Sequence, residues 1–84
     1  MRFPEELDRD VLTRLRRIEG QVRGLQRLVT EGAECRDIVI QLAATGSALD
    51  RVGFKLMAAG LRECATSDGE VDTAELEELF LKLA

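Results

Sequence analysis

With 84 residues, two cysteines and no histidine, the chain has room for one small domain and lacks the commonest general base. The missing imidazole removes Ser-His and Cys-His nucleophile pairs and most zinc sites. A formal net charge of −4 argues against indiscriminate nucleic-acid binding, but the charge is unevenly spread: residues 11–30 hold five arginines against one glutamate, a net +4, and residues 63–84 hold seven acidic residues against one lysine, a net −6.

One proline, no tryptophan or tyrosine, and an abundance of leucine, alanine, arginine and glutamate make an all-helical composition. A core built from so short a chain is marginal alone, so oligomerisation is the expected remedy. No apolar run approaches the ~18 residues of a membrane span, and Met1-Arg2-Phe3-Pro4 lacks a secretory apolar segment. The expectation is a cytoplasmic protein without a membrane partner. In a reducing compartment two cysteines are reactive, metal-binding or silent rather than a structural staple.

Pro4 suits a first helical position, with Glu5, Glu6 and Asp8 following where the helix dipole favours anions. The apolar positions Leu7, Val11, Leu15, Ile18, Val22, Leu25 and Val29 step by three and four, an amphipathic stripe widened by Leu12 and Leu28. The first helix ends at Glu31-Gly32-Ala33, with Gly32 just past the end. After the second helix, Thr66-Ser67-Asp68-Gly69-Glu70 reads as a turn. Asp72 can cap a third helix, with Glu75 three residues on and Val71 and Leu76 at staple positions. Leu76, Leu79, Phe80 and Leu83 give that helix one apolar edge. The chain reads as a single domain over residues 1–84, without repeat or linker.

The second helix, read as continuous from Cys35 to Cys64, organises the rest. Ile38, Leu42, Leu49, Val52, Leu56 and Ala59 make an ordinary core face. A second stripe holds Gly46, Gly53 and Gly60 at heptad spacing, with both cysteines within roughly 20° of it at ~100° per residue. Along one helix the two sulfurs would stand about 40 Å apart, so they cannot meet unless it breaks. They can meet across a two-fold axis: an antiparallel pair that sets Cys35 against Cys64 of the partner subunit also sets Gly46 against Gly53 of the partner subunit. Each interior glycine costs about 1 kcal/mol against alanine, so three in line with both cysteines favour close helix packing over accident. The bland alternative is tolerated glycines beside cysteines that serve as small buried hydrophobes.

Cys35 lies near the positive end of the second helix, beside Arg36, where an attacking thiolate is favoured; Cys64, near the opposite end, is the resolving partner. Arg14, Arg16 and Arg17 on the first helix, with Arg51 and Lys55 on the second, form basic faces suited to phosphate, or else ordinary solvated surface. No helix-turn-helix, zinc finger or aromatic platform accompanies them. Residues 68–75 match the second half of a calcium loop, but the first half fails at Cys64 and Thr66, and a turn with a helix cap explains the match better.

The run Arg14-Leu15-Arg16-Arg17-Ile18-Glu19-Gly20-Gln21-Val22-Arg23-Gly24-Leu25, followed by Glu34-Cys35-Arg36-Asp37-Ile38 and Gln41-Leu42-Ala43-Ala44, resembles the copper-sensitive operon repressor (CsoR) family from about residue 7 onward. The resemblance implies a three-helix all-α fold in which an antiparallel helix 1/helix 2 hairpin forms a four-helix-bundle dimer, with a short C-terminal helix and a dimer of dimers. It also implies a repressor rather than an enzyme, with operator DNA and its own copies as partners and no resident cofactor. By motif position Arg14 and Arg51 match the family's DNA-contacting arginines; Arg16, Arg17 and Lys55 are added from the basic face. Copper-binding members use a cysteine, a histidine and a second cysteine, and the corresponding places here are Cys35, Gly60 and Cys64. The formaldehyde-sensing branch has a proline at position two, where this chain has Arg2, and does not need the second cysteine. The pattern is closest to the persulfide-sensing CsoR-like sulfurtransferase repressor (CstR) branch. The expected effectors are therefore reactive sulfur species acting on Cys35 and Cys64, with copper(I) held by the two thiolates as the alternative. Outside the family, the alternatives are a helical interaction module that does not bind DNA, or a calcium-responsive protein.

Overall fold

The computed structural model describes residues 2–60 and 73–83, and all regular structure among them is helical. Helix α1 spans Glu5–Thr30, α2 spans Cys35–Lys55 and continues as a π-helical turn over Leu56–Gly60, and α3 spans Thr73–Leu83. The expected turn at residues 66–70, the Asp72 cap, residues 68–72 of the half-match to a calcium loop and Cys64 lie outside the described residues.

Helix α1 begins one residue later than expected. Pro4 is its N-cap, with ψ near 145°, and its carbonyl accepts the first helical bond from the Asp8 amide at 3.0 Å. The end is set by Gly32, whose φ of 71° is a left-handed conformation that a side chain resists. The Gly32 amide donates to the Val29 carbonyl at 3.2 Å, and the Ala33 amide to the Leu28 carbonyl at 2.9 Å. This paired arrangement satisfies the last carbonyls of α1 and turns the chain within four residues. Helix α2 therefore returns antiparallel against α1.

The hairpin buries little of its own apolar surface. Leu7, Ile18 and Val52 are buried, and so is Thr45, whose hydroxyl donates to the Gln41 carbonyl at 2.9 Å and is thereby satisfied. Leu15 (40%), Val22 (38%), Leu42 (55%) and Leu49 (51%), all expected in the core, stay exposed. Two helices give each other only one line of contact, and the rest of a wide apolar stripe needs another layer. The total area gives the same answer. A compact monomer of 9.3 kDa exposes about 5,000 Å². This chain exposes 6573 Å² over a rod of 53 × 24 × 15 Å.

The structure corrects the reading of α2 as one regular helix. Its α geometry ends at Lys55, and the π-helical turn takes more residues per revolution. Gly60 therefore drifts off the line drawn through Cys35, Gly46 and Gly53. The end of helix α3 returns to the C-terminal part of α2. A Cβ built on Gly53 would meet Leu83 Cδ2 at 3.5 Å, and the two helices leave an open pocket of about 320 Å³ lined by Leu49, Asp50, Gly53, Phe54, Met57 and Leu83. At Gly46 a Cβ would meet nothing within 4 Å.

Candidate nucleic-acid interface and sensing thiol

The antiparallel hairpin brings basic residues from both helices to one corner. Asp10 Oδ2 accepts from Arg14 Nε at 3.2 Å, one helical turn along α1, and from Lys55 Nζ across the hairpin. Asp10 and Lys55, like Thr30 and Cys35 at the turn, are pairs whose numbers add to 65. The same register sets Arg51 level with Arg14. Arg51 also lies one turn before Lys55 on α2, so it stands next along the helix to the Lys55–Asp10–Arg14 cluster without being a partner of Asp10.

The bond to Asp10 uses only the Nε of Arg14, which leaves both terminal amino groups of the guanidinium for another acceptor. Lys55 likewise keeps donors to spare. Arg51 is exposed and forms no ion pair among the described residues, so a structural pairing with the neighbouring Asp50 does not occur. Lys55 and Arg14 together hold the Asp10 carboxyl below its ordinary value of 3.8, the Lys55 bond contributing most and outweighing a partial desolvation that acts the other way. A depressed carboxylate stabilises the fold above its ordinary value and loses that contribution only as pH falls through its folded value. The Asp10 carboxyl is therefore ionised at neutral pH.

The remaining candidates are placed differently. Arg17 is exposed and roughly 60° around α1 from Arg14, flanking the corner. Arg16 is exposed but roughly 160° around, on the outer face that also carries Arg9, Arg23 and Arg27. Arg23 on that face is paired with Glu19. The structure thus gathers Arg14 and Lys55 on Asp10, sets Arg51 one turn along α2 and Arg17 beside Arg14, and leaves Arg16 apart. Asp10 is the member that sequence reasoning missed. Its place four residues before Arg14 was a usable signal, and its contact with Lys55 depends on the hairpin register.

Cys35 is the first residue of α2 and is exposed. Glu34 precedes it as N-cap without a side-chain cap bond; its carbonyl accepts from the Asp37 amide at 3.0 Å and the Ile38 amide at 3.2 Å. Among the described residues no group of three or more His, Cys, Asp or Glu side chains could hold a metal ion. The strongest donors that the sequence offers a soft metal are the thiolates of Cys35 and Cys64, which suit copper(I), and it gives nickel or cobalt none of the imidazoles they favour. No helix of the described residues is long and apolar enough to cross a membrane.

Comparison with known proteins accords with this geometry. The metal-sensitive transcriptional repressor family matches residues 8–83. The copper-sensing transcriptional repressor CsoR of Bacillus subtilis (strain 168) is 37% identical over 81 aligned residues, covering 89% of this chain and 80% of the relative. Among solved structures, the nickel-responsive transcriptional regulator InrS superposes with a TM-score of 0.75 at 34% identity, over 90% of this chain and 91% of that one. The copper-sensing repressor CsoR with Cu(I) from Geobacillus thermodenitrificans NG80-2 gives a TM-score of 0.75 at 31% identity, over 98% and 91%. The chain belongs to the metal-sensitive transcriptional repressor family, as a repressor of the CsoR type and not an enzyme.

Proposed function

We infer that the protein is a cytoplasmic, operator-binding repressor that works as a dimer or a dimer of dimers and releases DNA when sulfane sulfur links Cys35 to Cys64 of the partner subunit. The observation that carries the sensing half is the donor inventory: two cysteines, no histidine, and Cys35 exposed at the start of α2. The Cys35 thiolate attacks the outer sulfur of a persulfide RSSH, becomes Cys35–S–SH and expels RS⁻. The thiolate of Cys64 of the partner subunit then attacks the inner sulfur, closes the bridge and releases HS⁻. Two thiols are oxidised and one sulfane sulfur is reduced to sulfide, so no other oxidant is required. Polysulfide donors leave further sulfur atoms in the bridge.

Assembly through the hairpin is supported by the apolar residues it leaves exposed, among them Leu15, Val22, Leu42 and Leu49, which need a second layer to cover them. The open space at Gly46 supports close approach of a second α2 there. Leu83 covers Gly53 within one chain, so closing the register moves the end of α3 aside. DNA contact is assigned to Arg14, Arg51 and Lys55, flanked by Arg17, with Arg16 as an outlying contact. The covalent bridge acts as a two-state bias on helix packing, and through it on the spacing of the basic corners.

A second reading, copper(I) held by the two thiolates, is favoured by the copper-sensing relatives. Fluorescence anisotropy separates the two, using a labelled duplex that the protein itself selects from a random library. A persulfide donor is expected to release the duplex, thiol reductant to restore binding, and copper(I) to leave it bound. Cys35→Ser should keep the affinity within about twofold, as for a surface substitution away from the DNA contacts, and abolish the response. Release by copper(I) but not by the persulfide donor would establish the second reading instead.

A further inference from the structure

We propose that Asp10 is a positioning residue for operator DNA, tying Lys55 at the end of α2 to Arg14 on α1 so that cations from two helices hold one spacing against the phosphates. The inference rests on the operator-binding reading and adds to it a residue of the opposite charge. A carboxylate beside a phosphate-binding surface repels the ligand, so its presence there needs a reason. The geometry supplies one, because a single oxygen accepts from both cations and thereby fixes how far apart they sit. Lys55 carries a long flexible stem whose ordering otherwise has to be met when DNA binds, and a lysine already held by Asp10 has met part of it.

Two other roles fit the observations less well. A carboxylate that mimicked phosphate and blocked the site would engage the terminal fork of Arg14; here it takes Nε and leaves the fork free. A simple contribution to stability is small, because Asp10, Arg14 and Lys55 are each about 40% exposed and such ion pairs contribute little. Lys55 is also the last residue of α2 before the π-helical turn. The strut therefore anchors the regular helix to α1 at the point where its geometry changes.

The test is Asp10→Asn, which keeps the shape and removes the charge. Affinities are measured at fixed salt for a duplex selected by the wild-type protein from a random library and for the same duplex scrambled. The expected result is a fall of about tenfold in the ratio of selected to scrambled affinity, carried by weaker binding of the selected duplex. Binding of the scrambled duplex should be unchanged or tighter, since one negative charge has gone. Asp10→Glu keeps a carboxylate and should recover part of the ratio. Equal tightening on both duplexes would show that Asp10 is only a repulsive charge and overturn the proposal, as would an unchanged ratio. Loss of helicity or of assembly in Asp10→Asn would assign the residue to stability and overturn it too. Failure of the wild-type protein to enrich any sequence would sink the operator reading itself, and it would be seen before any variant is made.

Discussion

Arg51→Ala is expected to weaken binding of the selected duplex by roughly tenfold for each arginine engaged, and to flatten the dependence of log affinity on log salt by about one unit per lost contact. Arg51 is level with Arg14 in the hairpin, exposed, and without an ion pair among the described residues, so its guanidinium is available to phosphate at no cost in broken contacts. Helicity and oligomeric state should be preserved for the same reason. In a dimer of dimers the loss multiplies across equivalent arginines. Arg16→Ala is the internal comparison, since Arg16 lies on the opposite side of α1 and should change the salt slope less. If Arg51→Ala dissociates the oligomer, or binds with an unchanged slope, the DNA surface lies elsewhere.

Gly46→Leu should have the larger effect on assembly. Within one chain a Cβ at this position meets nothing within 4 Å, and leucine is a better helix former than glycine by up to about 1 kcal/mol. The isolated hairpin therefore has no reason to suffer. In an antiparallel pair of α2 helices each leucine meets the close approach at Gly53 of the partner subunit. Overpacking costs about 1–3 kcal/mol at each of two equivalent sites, enough to raise the dimer dissociation constant by roughly 30-fold to 10⁴-fold. Sedimentation velocity over a concentration series reads this directly. A Gly46→Leu protein that stays dimeric and melts higher would show that the glycine stripe faces solvent, and the register would fall with it.

The sequence carried the local structure of the hairpin well, because its signals are local. Gly32 stops α1 through its own φ of 71°, and the three-and-four spacing of Leu7, Ile18 and Leu25 defines one face whatever lies opposite. What stayed hidden depends on partners at a distance. Leu7 and Leu15 belong to one apolar stripe, yet the first is buried and the second is left 40% exposed. Periodicity does not distinguish a face that meets the same chain from one that waits for another. The switch from α to π geometry after Lys55 has no composition signal in Leu56-Met57-Ala58-Ala59-Gly60, where only the closing glycine departs from good helix formers. Asp10 was missed for the same reason: only its spacing from Arg14 is local, and its contact with Lys55 follows from a turn of four residues that sets the register.

Sensing requires that Cys35 react with sulfane sulfur and be bridged to Cys64 of the partner subunit. Intact-protein mass spectrometry after exposure to a persulfide donor, with a non-reducing gel of the same sample, tests it most directly. The expected product is a covalent dimer whose mass corresponds to two chains joined by sulfur bridges, reverting to monomer with thiol reductant and absent from Cys35→Ser and Cys64→Ser. A bridge found within a single chain, or an unmodified protein that instead binds one copper(I) tightly per chain, would contradict it.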